Sequence, residues 1–366
     1  MKNILVFFGG QSIEHEISVI TGTLTLNSID KQLFNAIPVF IDQEGKWWGG
    51  EILKDIDCYK NLDKKKLYNV TLFGGDNTLY LVKGKKIKPV AQISCAINCM
   101  HGERGEDGSL SGLLNMCNIP LASPSTFGSS LCISKASTKL ALKGLKINAL
   151  PYCVKEDATE VDKIEEKLGY PLIIKPDSGG SSIGIAKATN RMELKNGILT
   201  ALRYSEKAII EPMLSDFTEI NCACYFADGK IVVSECEKPF ARGDILSFND
   251  KYKDGKREFP ANISLEISQE IKNITKTIYT ELGFSGVIRV DYILKDGVVL
   301  VNEINTVPGS LAYYLFVKTL KEFSKMLTSI INQAITNGAK NSTLIKKFSS
   351  GILSISGGKG SKRLKK

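Results

Sequence analysis

The segment from residue 287 to 309 constrains the fold more than any other part of the sequence. It reads VIRVDYILKDGVVLVNEINTVPG, with two apolar runs on either side of Asp296 and Gly297. An Asp-Gly pair between apolar runs is typical of a tight β-hairpin, because the central residues of such a turn need positive φ. We therefore expect two antiparallel strands joined at this pair.

Four polar side chains occur on the predicted hairpin: Arg289, Asp291, Glu303 and Asn305. Side chains two residues apart on a strand point to the same face. Arg289 and Asp291 therefore share a face of the first strand, and Glu303 and Asn305 share a face of the second. Carboxylate and amide oxygens suit Mg²⁺ that carries phosphates better than a transition metal. The alternative is a hairpin whose polar face meets only water, and the hairpin alone does not decide between the two.

The net charge is concentrated in one stretch. Of the formal +9, eight positive charges and no acid fall between residues 340 and 366, so the other residues carry only +1. A body this close to neutral is not expected to bind nucleic acid along a basic groove. We expect residues 338–366 to be a disordered tail, because they lack an amphipathic pattern.

Cysteine usage and the apolar start favour a reducing compartment. The nine cysteines show no CxxC spacing, and four of them lie in apolar runs typical of buried thiols: Cys95, Cys99, Cys222 and Cys224. The first apolar run is too short for a signal peptide, and no run reaches membrane length. We expect a cytoplasmic protein that does not contact a membrane.

The N-terminal part predicts a strand–helix–strand unit. Residues 3–8 (NILVFF) form an apolar run, Ser12 is placed to cap a helix, and further strands follow at 36–41 and 93–100. This order predicts a right-handed parallel unit of the Rossmann type. The first connection reads GGQS rather than GxGxxG, so a dinucleotide site is not expected.

Glycine-bearing polar loops follow two of the predicted strands. HGERGEDG at 101–108 follows the third strand, and DSGGSSIG at 177–184 follows a strand that ends at Lys175. Such loops commonly bind ligands, and backbone N–H groups in them suit phosphate oxygens. The alternatives are a plain hairpin tip and surface turns in which His15 and His101 meet solvent.

The remaining pattern predicts a domain boundary, a mobile loop and further regular elements. The Pro/Ser-rich stretch 120–130 marks the boundary, and the polar stretch 242–257 is predicted to be the mobile loop. The predicted helices are 135–143, 264–282 and 319–334, and the predicted strands are 170–175, 185–187, 207–211 and 220–226.

These features fit together if a single site uses all of them. Lys135 at a helix start, Lys175 at a strand end, a phosphate loop, carboxylates for adenosine hydroxyls and a Mg²⁺ cluster describe an ATP site. The site is neither a P-loop nor a protein kinase site, because GxxxxGK[ST], HRD and DFG are absent from the sequence.

Five motifs follow one another along the chain. They are GGQSIEHEIS at 9–18, HGERGEDG at 101–108, KPDSGGSSIG at 175–184, the Lys251-Tyr252 pair and RVD…NEINTVPG at 289–309. Together they resemble the D-alanine–D-alanine ligase family of ATP-grasp enzymes. This resemblance favours the metal site over the exposed hairpin.

The resemblance implies an α/β and α+β architecture. A Rossmann-like N-terminal domain at 1–125 is followed by an ATP-grasp fold of two α+β subdomains. The central ATP-binding subdomain spans 126–215, and the C-terminal catalytic subdomain spans 216–337. The basic tail then begins at 338.

The resemblance also implies ligands and the residues that bind them. The residues implied to bind ATP are Lys135, Lys175, Ser181, Ser182, Glu211, Met213, Leu214, Glu219 and Lys251. Among these, the lysines at 135 and 175 hold phosphates, Glu211 meets adenine and Glu219 meets ribose. The residues implied to bind two Mg²⁺ ions, or Mn²⁺ in their place, are Asp291, Glu303 and Asn305.

Further residues are implied to act on D-alanine. They are Glu16, His101, Ser181, Tyr252, Arg289 and Gly309. Glu16 holds the ammonium of the first D-alanine within a hydrogen-bonded group with Ser181 and Tyr252, while Arg289 and the Gly309 N–H face the oxyanion. The partners are then ATP and D-alanine, no nucleic acid is bound, and we expect a homodimer.

One departure from the family pattern concerns the acceptor. PGSLAYYL places Tyr314 where the family has a Ser that meets the carboxylate of the second substrate. Tyr313 shares this role if the register shifts by one residue. Three functions therefore stay open: a D-alanine–D-alanine ligase, a ligase with D-serine, D-lactate or another acceptor, and a nucleotide-binding protein without catalysis.

Overall fold

A seven-stranded sheet forms the N-terminal part of the computed structural model, which describes residues 1–180, 183–240 and 257–350. Its strands are β1 (Lys2–Gly9), β2 (Phe34–Ile41), β3 (Trp47–Gly49), β4 (Tyr68–Phe73), β5 (Asp76–Lys83), β6 (Lys86–Gln92) and β7 (Cys95–Asn98). Their order is β6-β5-β4-β3-β2-β1-β7. β1 pairs in parallel with β2 and β7, which confirms the predicted parallel unit.

Helix α1 (His15–Ser28) connects β1 to β2 and starts later than predicted. Ser12 does not cap it: Glu14 is the N-cap residue, and the Ser12 hydroxyl accepts a hydrogen bond from the Glu14 N–H at 3.1 Å. An α-helix turns by about 100° per residue. This start therefore decides which acidic side chain points inward: Glu14 is buried and Glu16 is exposed.

Strands β3 to β6 form an antiparallel extension that the sequence analysis did not predict. β6 is exposed along almost its whole length, and β5 is mostly half-buried. Strands that are exposed along most of their length leave no clear alternation of apolar and polar residues. The extension is joined to the sheet by backbone hydrogen bonds and by Val70, Leu72 and Leu79, which pack in the core that contains Leu5 and Phe7.

The second sheet has four strands, all paired antiparallel. They are β8 (Cys153–Lys155), β9 (Leu172–Pro176), β10 (Ala186–Ala188) and β11 (Ala208–Pro212), in the order β10-β9-β11-β8. The helices that precede or cover this sheet are α2 (Ser109–Met116), α3 (Thr126–Ile133), α4 (Lys135–Gly144), α5 (Asp162–Leu168) and α6 (Arg191–Ala201). The predicted helix at 135–143 is confirmed by α4.

The third sheet contains the hairpin predicted from the Asp-Gly pair. Its strands are β12 (Thr218–Ala227), β13 (Lys230–Val233), β16 (Val287–Lys295) and β17 (Val298–Asn305), in the order β13-β12-β16-β17. Asp296 and Gly297 have φ values of 50° and 78°, as a primed turn requires. Two short strands, β14 (Lys238–Pro239) and β15 (Arg257–Glu258), pair separately, and α7 (Leu265–Glu281) packs against β12.

A left-handed turn follows the third sheet. Ser310, Leu311 and Ala312 have φ values of 53°, 51° and 48°, which residues with side chains rarely adopt. Leu311 and Ala312 are buried, and the Ser310 N–H donates to Thr21 Oγ1 in α1 at 3.0 Å. Contacts with the N-terminal part of the chain thus hold this turn in place.

Helix α8 (Leu320–Ser342) begins at a capping box formed by Thr319 and Glu322. Its buried face joins the same apolar core as β1, so the C-terminal helix stabilises the N-terminal sheet. The helix continues past residue 338, so the predicted start of the tail is wrong. The predicted domain boundaries near 125 and 215 stay predictions. No helix in the described ranges is long and apolar enough to cross a membrane.

Candidate active site

A cavity of about 530 Å³ is lined by α1 and the loop after β7 on one side and by residues of the second and third sheets on the other. The predicted site residues that line it are His101, Lys135, Lys175, Met213, Leu214, Glu219, Arg289, Asp291, Glu303, Asn305, Gly309 and Tyr314. Three predicted residues do not line it: Glu16, Glu211 and Tyr313. The others lie outside the described residues: Ser181, Ser182, Lys251 and Tyr252.

Two lysines form a basic end of this cavity. Lys135 is the first residue of α4, and its Nζ donates to the carbonyl of Gly179 in the glycine-serine loop at 2.7 Å. Lys175 lies on β9, immediately before that loop. Ammonium groups beside a glycine-containing loop form a site that suits phosphate oxygens.

Glu211 lies behind the cavity wall and does not face the nucleotide end as predicted. Its carboxylate accepts hydrogen bonds from Lys139 Nζ at 2.6 Å and from Lys175 Nζ at 2.7 Å. The side chains of Glu211 and Lys139 are only 2% and 3% exposed. Glu211 therefore fixes Lys175. Lys139, which the sequence analysis missed, lies one helical turn after Lys135 on α4.

This buried cluster keeps its carboxylate ionised. Burial alone would raise the pKa of Glu211, but the two lysines outweigh that effect and lower the pKa to about 2. Burial lowers the pKa of Lys139, and Glu211 offsets this only in part. For Lys175, burial also acts to lower the pKa, but Glu211 outweighs it and the pKa is raised. Lys175 and Glu211 therefore form an ion pair near neutral pH.

An apolar slot adjoins the basic end. The side chains that line it are Ile173, Met213, Leu214, Phe217 and Ile293. Glu219, near the start of β12, lies at the same wall of the cavity. An apolar slot accepts a flat ring, and a neighbouring carboxylate accepts hydrogen bonds from hydroxyl groups. This end of the cavity therefore suits a nucleoside.

The hairpin brings the predicted metal ligands together. Asp291 and Glu303 are direct partners across β16 and β17, and Asn305 is opposite Arg289. Arg289 donates two hydrogen bonds to the Asp291 carboxylate, at 2.7 and 2.8 Å, and Asn305 Nδ2 donates a third at 3.0 Å. Two of these bonds end on Asp291 Oδ2, whereas, among the described residues, Oδ1 accepts only the bond from Arg289 Nε and keeps a lone pair for a cation. Together with the Glu303 carboxylate, this set of hard oxygen donors fits Mg²⁺.

Among the described residues, no group of three or more His, Cys, Asp and Glu side chains is placed to hold a metal ion. The predicted ligand set contains two carboxylates and one amide. The fit to Mg²⁺ therefore depends on Asn305 contributing its amide oxygen beside Asp291 and Glu303.

The acidic residue at the N-terminal side of the cavity is Glu14, and the prediction for Glu16 is wrong. Glu14 is 5% exposed and lines the cavity, whereas Glu16 points to solvent from α1. The motif GGQSIEHEIS contains both acids. The residue at which α1 begins decides which of the two faces the cavity. A cavity-facing carboxylate at Glu14 suits an ammonium group.

Glu106, in the loop after β7, is a second carboxyl group on this side of the cavity, and the sequence pattern predicts no role for it. Its two oxygens accept hydrogen bonds from the Gly102 N–H at 2.8 Å and the Val307 N–H at 3.2 Å. It thereby joins the loop after β7 to the loop after β17. Burial, together with the nearby charge of Glu14, raises the pKa of Glu106 to about 8.

His101 is a buried neutral side chain, so the surface alternative is wrong for it. Its Nε2 lies 3.0 Å from Thr21 Oγ1, the same hydroxyl that accepts the Ser310 N–H. Burial and the neighbouring charge of Arg289 lower the pKa of His101 to about 3. A neutral imidazole at this position adds polarity to the cavity without adding charge.

The two tyrosines after the left-handed turn point in different directions. Tyr313 stacks on Phe323 of α8 with ring centroids 4.7 Å apart, so its predicted contact with substrate is wrong. Tyr314 lines the cavity, and its hydroxyl accepts a hydrogen bond from Arg289 Nη1 at 3.5 Å. Burial raises the pKa of Tyr314, which keeps the phenol protonated and able to donate.

One cavity thus combines a basic end, a slot for a nucleoside, a hard-ligand set and a carboxylate pocket for an ammonium group. Structural comparison shows that this fold is that of ATP-dependent ligases of the ATP-grasp type. Profiles described as D-ala D-ala ligase N-terminus and D-ala D-ala ligase C-terminus match residues 3–124 and 142–336. The chain belongs to the D-alanine–D-alanine ligase family.

Individual relatives agree with this assignment. The D-alanine–D-alanine ligase of Thermosipho melanesiensis is 35% identical over 347 residues, which cover 92% of this chain and 94% of that protein. The D-alanine-D-alanine ligase from Coxiella burnetii superposes with a TM-score of 0.80 at 23% identity, over 94% of this chain and 97% of that one. The VanG D-Ala:D-Ser ligase from Enterococcus faecalis superposes with a TM-score of 0.76 at 26% identity, over 92% and 99%. The predicted fold class is confirmed.

Proposed function

We propose that this enzyme uses ATP to join two D-alanine molecules into D-alanyl-D-alanine for peptidoglycan precursor synthesis. The observation that carries the proposal is the meeting of phosphate-binding lysines, hard oxygen ligands and the Glu14 pocket in one cavity. An amino acid bound between the oxygen ligands and the Glu14 pocket would present its carboxylate to the phosphate end of the cavity, where ATP would activate it.

The first step makes the carboxylate of the first D-alanine reactive. A carboxylate is a poor acyl donor, so the γ-phosphoryl group of ATP is transferred to it and ADP leaves. Lys135 and Lys175 bind and orient the phosphates, and Glu14 binds the substrate ammonium, the role first assigned to Glu16. Asp291, Glu303 and Asn305 would hold two Mg²⁺ or Mn²⁺ ions, and such ions would neutralise charge on the transferring group.

The second step forms the peptide bond. The amine of the acceptor attacks the acyl carbon, the C–N bond forms, and phosphate leaves after the tetrahedral intermediate collapses. Arg289 and the Gly309 N–H stabilise the negative oxygen of that intermediate. The other predicted contributors are Ser181, Ser182, Lys251, Tyr252 and the lid at 242–257. Of the lid, the structure describes only Arg257. Exclusion of water by the lid protects the acyl phosphate.

A coupled ADP-release assay tests the proposal across a panel of D- and L-amino acids and D-lactate. ADP release with D-alanine alone, and D-alanyl-D-alanine as the product, is the expected result. If ADP release requires a second substrate other than D-alanine, that substrate is the acceptor and the assignment of D-alanine as acceptor is wrong. An absence of release with every pair tested would support the alternative of a nucleotide-binding protein without catalysis.

Acceptance of D-serine is the second candidate function. Two observations favour it: Tyr314 lines the cavity at the position where the family has a Ser, and the fold is similar to that of a protein named VanG D-Ala:D-Ser ligase. The same panel separates the candidates through the product formed when D-alanine and D-serine are supplied together.

We also infer that the enzyme is cytoplasmic and forms a homodimer. All nine cysteines are free thiols, which supports a reducing compartment. The homodimer is an expectation from the family resemblance, and light scattering of the purified protein tests it.

Replacing Tyr314 with Phe is expected to raise the KM for the second D-alanine while the KM for ATP stays nearly constant. The substitution keeps the ring and removes only the hydroxyl that faces the cavity. Loss of a hydrogen bond to a charged group costs roughly 1.5–3 kcal/mol, or about ten- to a hundred-fold. Tyr313→Phe is the matched control, because that ring packs in the core. If the Tyr314 variant and the parent enzyme have equal kinetics, another residue contacts the carboxylate of the second D-alanine.

Removing residues 344–366 is expected to leave kcat nearly unchanged. Helix α8 ends at Ser342, and residues 344–350 are exposed, so the cut removes none of the packed helix. Steady-state kinetics of the purified truncated protein provide the measurement. A truncated protein that folds but loses most of its activity would show that the tail contributes to the site.

A further inference from the structure

Arg257 lines the cavity at the end of the predicted lid, and the proposed reaction gives its charged side chain no role of its own. It is the first residue of β15, and its side chain is 36% exposed. The guanidinium carbon lies 4.6 Å from the centroid of the Tyr314 ring and 5.5 Å from that of Phe259. Arg257 is therefore held against the face of the tyrosine that occupies the acceptor end of the cavity.

Glu237 holds Arg257 in this position. Its side chain is only 5% exposed, and one of its oxygens accepts a hydrogen bond from Arg257 Nη1 at 3.0 Å. The other oxygen accepts from Asn221 Nδ2 at 3.1 Å, so β12 fixes the carboxylate. A guanidinium has five N–H donors in a rigid fork, and this contact uses one of them. The others are available for a second anion.

The other described cations on the cavity wall serve different partners. Lys135 and Lys175 form the basic end, and Arg289 donates two N–H groups to Asp291. The Tyr314 hydroxyl accepts from Arg289, which leaves its own proton for another acceptor. Arg257 and this hydroxyl therefore present a charge and a donor on the same side of the cavity.

We propose that Arg257 and the Tyr314 hydroxyl bind the carboxylate of the acceptor amino acid, and that Glu237 is the positioning residue for Arg257. This proposal rests on the proposed ligase function and specifies its substrate class. Charge-assisted hydrogen bonds from a guanidinium are strong toward a carboxylate and weak toward a neutral amide. The acceptor is thus an α-amino acid with a free carboxylate, recognised here by Arg and Tyr in place of the family's Ser.

A competition between two acceptors tests the proposal. D-Alaninamide has the amine of an acceptor but no carboxylate to be phosphorylated, so it acts only as an acceptor. With D-alanine and D-alaninamide at equal concentrations, mass spectrometry measures the ratio of dipeptide to dipeptide amide. The parent enzyme is expected to make mainly dipeptide. In Arg257→Gln the ratio should fall by about ten- to a hundred-fold, while the KM for ATP stays within about two-fold.

Three further variants separate recognition from general damage. Arg257→Lys retains the charge but not the fork and should give an intermediate ratio. Glu237→Gln should lower the ratio by a smaller factor, since it loosens Arg257 without removing it. Lys238→Gln is the matched control: it removes a nearby cation that does not line the cavity, and its ratio should equal that of the parent. Thermal unfolding of each variant confirms that the proteins compared are folded.

The outcomes distinguish this proposal from the ligase function. If the parent enzyme makes neither product, the ligase function fails. If it makes dipeptide and folded Arg257→Gln keeps the parent ratio, the ligase function stands and the role of Arg257 is overturned. If Arg257→Gln does not fold, the ratio in Arg257→Lys decides: a ratio below that of the parent supports the proposal, and an unchanged ratio overturns it.

Discussion

Glu303→Gln is expected to abolish turnover while leaving the fold intact. Glu303 lies on β17 directly opposite Asp291, with both side chains on the cavity wall. The amide keeps the shape of the side chain but removes the negative charge that a divalent cation requires. Because charge neutralisation by a metal is worth several kcal/mol, we expect kcat to fall by roughly a thousand-fold or more.

The control for this variant is Asp296→Asn. Asp296 lies in the turn of the same hairpin, its side chain is 85% exposed, and it does not line the cavity. Activity should therefore match that of the parent enzyme. Titration with Mg²⁺ at saturating ATP gives the measurement. Normal Mg²⁺-dependent turnover in folded Glu303→Gln protein would contradict the assignment of this residue as a ligand.

Glu211→Gln is expected to reduce the stability of the protein strongly. The substitution leaves Lys139 and Lys175 buried close together without their shared counter-ion. Removing one partner of a buried ion pair costs roughly 3–5 kcal/mol, because the remaining charge is uncompensated. Urea unfolding followed by fluorescence measures the change. Asp162→Asn is the control: it removes a partner of Arg191 that is 66% exposed, in the same part of the fold, and should have little effect.

The same carboxylate predicts how stability depends on pH. The pKa of Glu211 is lowered to about 2 in the folded protein, below the ordinary value of about 4.3 in an unfolded chain. Its contribution is therefore fully present above the unfolded pKa and is lost as the pH falls toward about 2. The stability difference between parent and Glu211→Gln should shrink over that range. A stability difference between the two proteins that does not change in acid would contradict the role given to this ion pair. The absence of a stability difference at neutral pH would contradict it as well.

Local patterns in the sequence predicted the hairpin and the polar side chains that it brings together. The Asp-Gly pair identified the turn at Asp296, and the spacing of polar residues placed Asp291, Glu303 and Asn305 near one another. These features depend on neighbouring residues alone, through turn geometry and the two-residue period of a strand. The structure adds that Arg289 already binds Asp291.

Features that depend on distant contacts were missed or misassigned. The choice between Glu14 and Glu16 follows from where α1 begins, and the direction of Tyr313 follows from the left-handed turn held by Thr21. Neither is encoded in a local pattern. The contact between Glu211 and Lys139 joins β11 to α4, and the packing of α8 on the first sheet joins the two ends of the described chain. No periodicity within one segment predicts such pairings.

An isotope-transfer experiment tests the central claim, that this cavity activates an amino-acid carboxylate by phosphorylation. D-Alanine labelled with ¹⁸O in both carboxylate oxygens is incubated with ATP and Mg²⁺, and the released phosphate is analysed by mass spectrometry. Because the acyl C–O bond to phosphate breaks when the peptide bond forms, one labelled oxygen should appear in phosphate for each dipeptide made. Dipeptide formation with unlabelled phosphate would contradict the account.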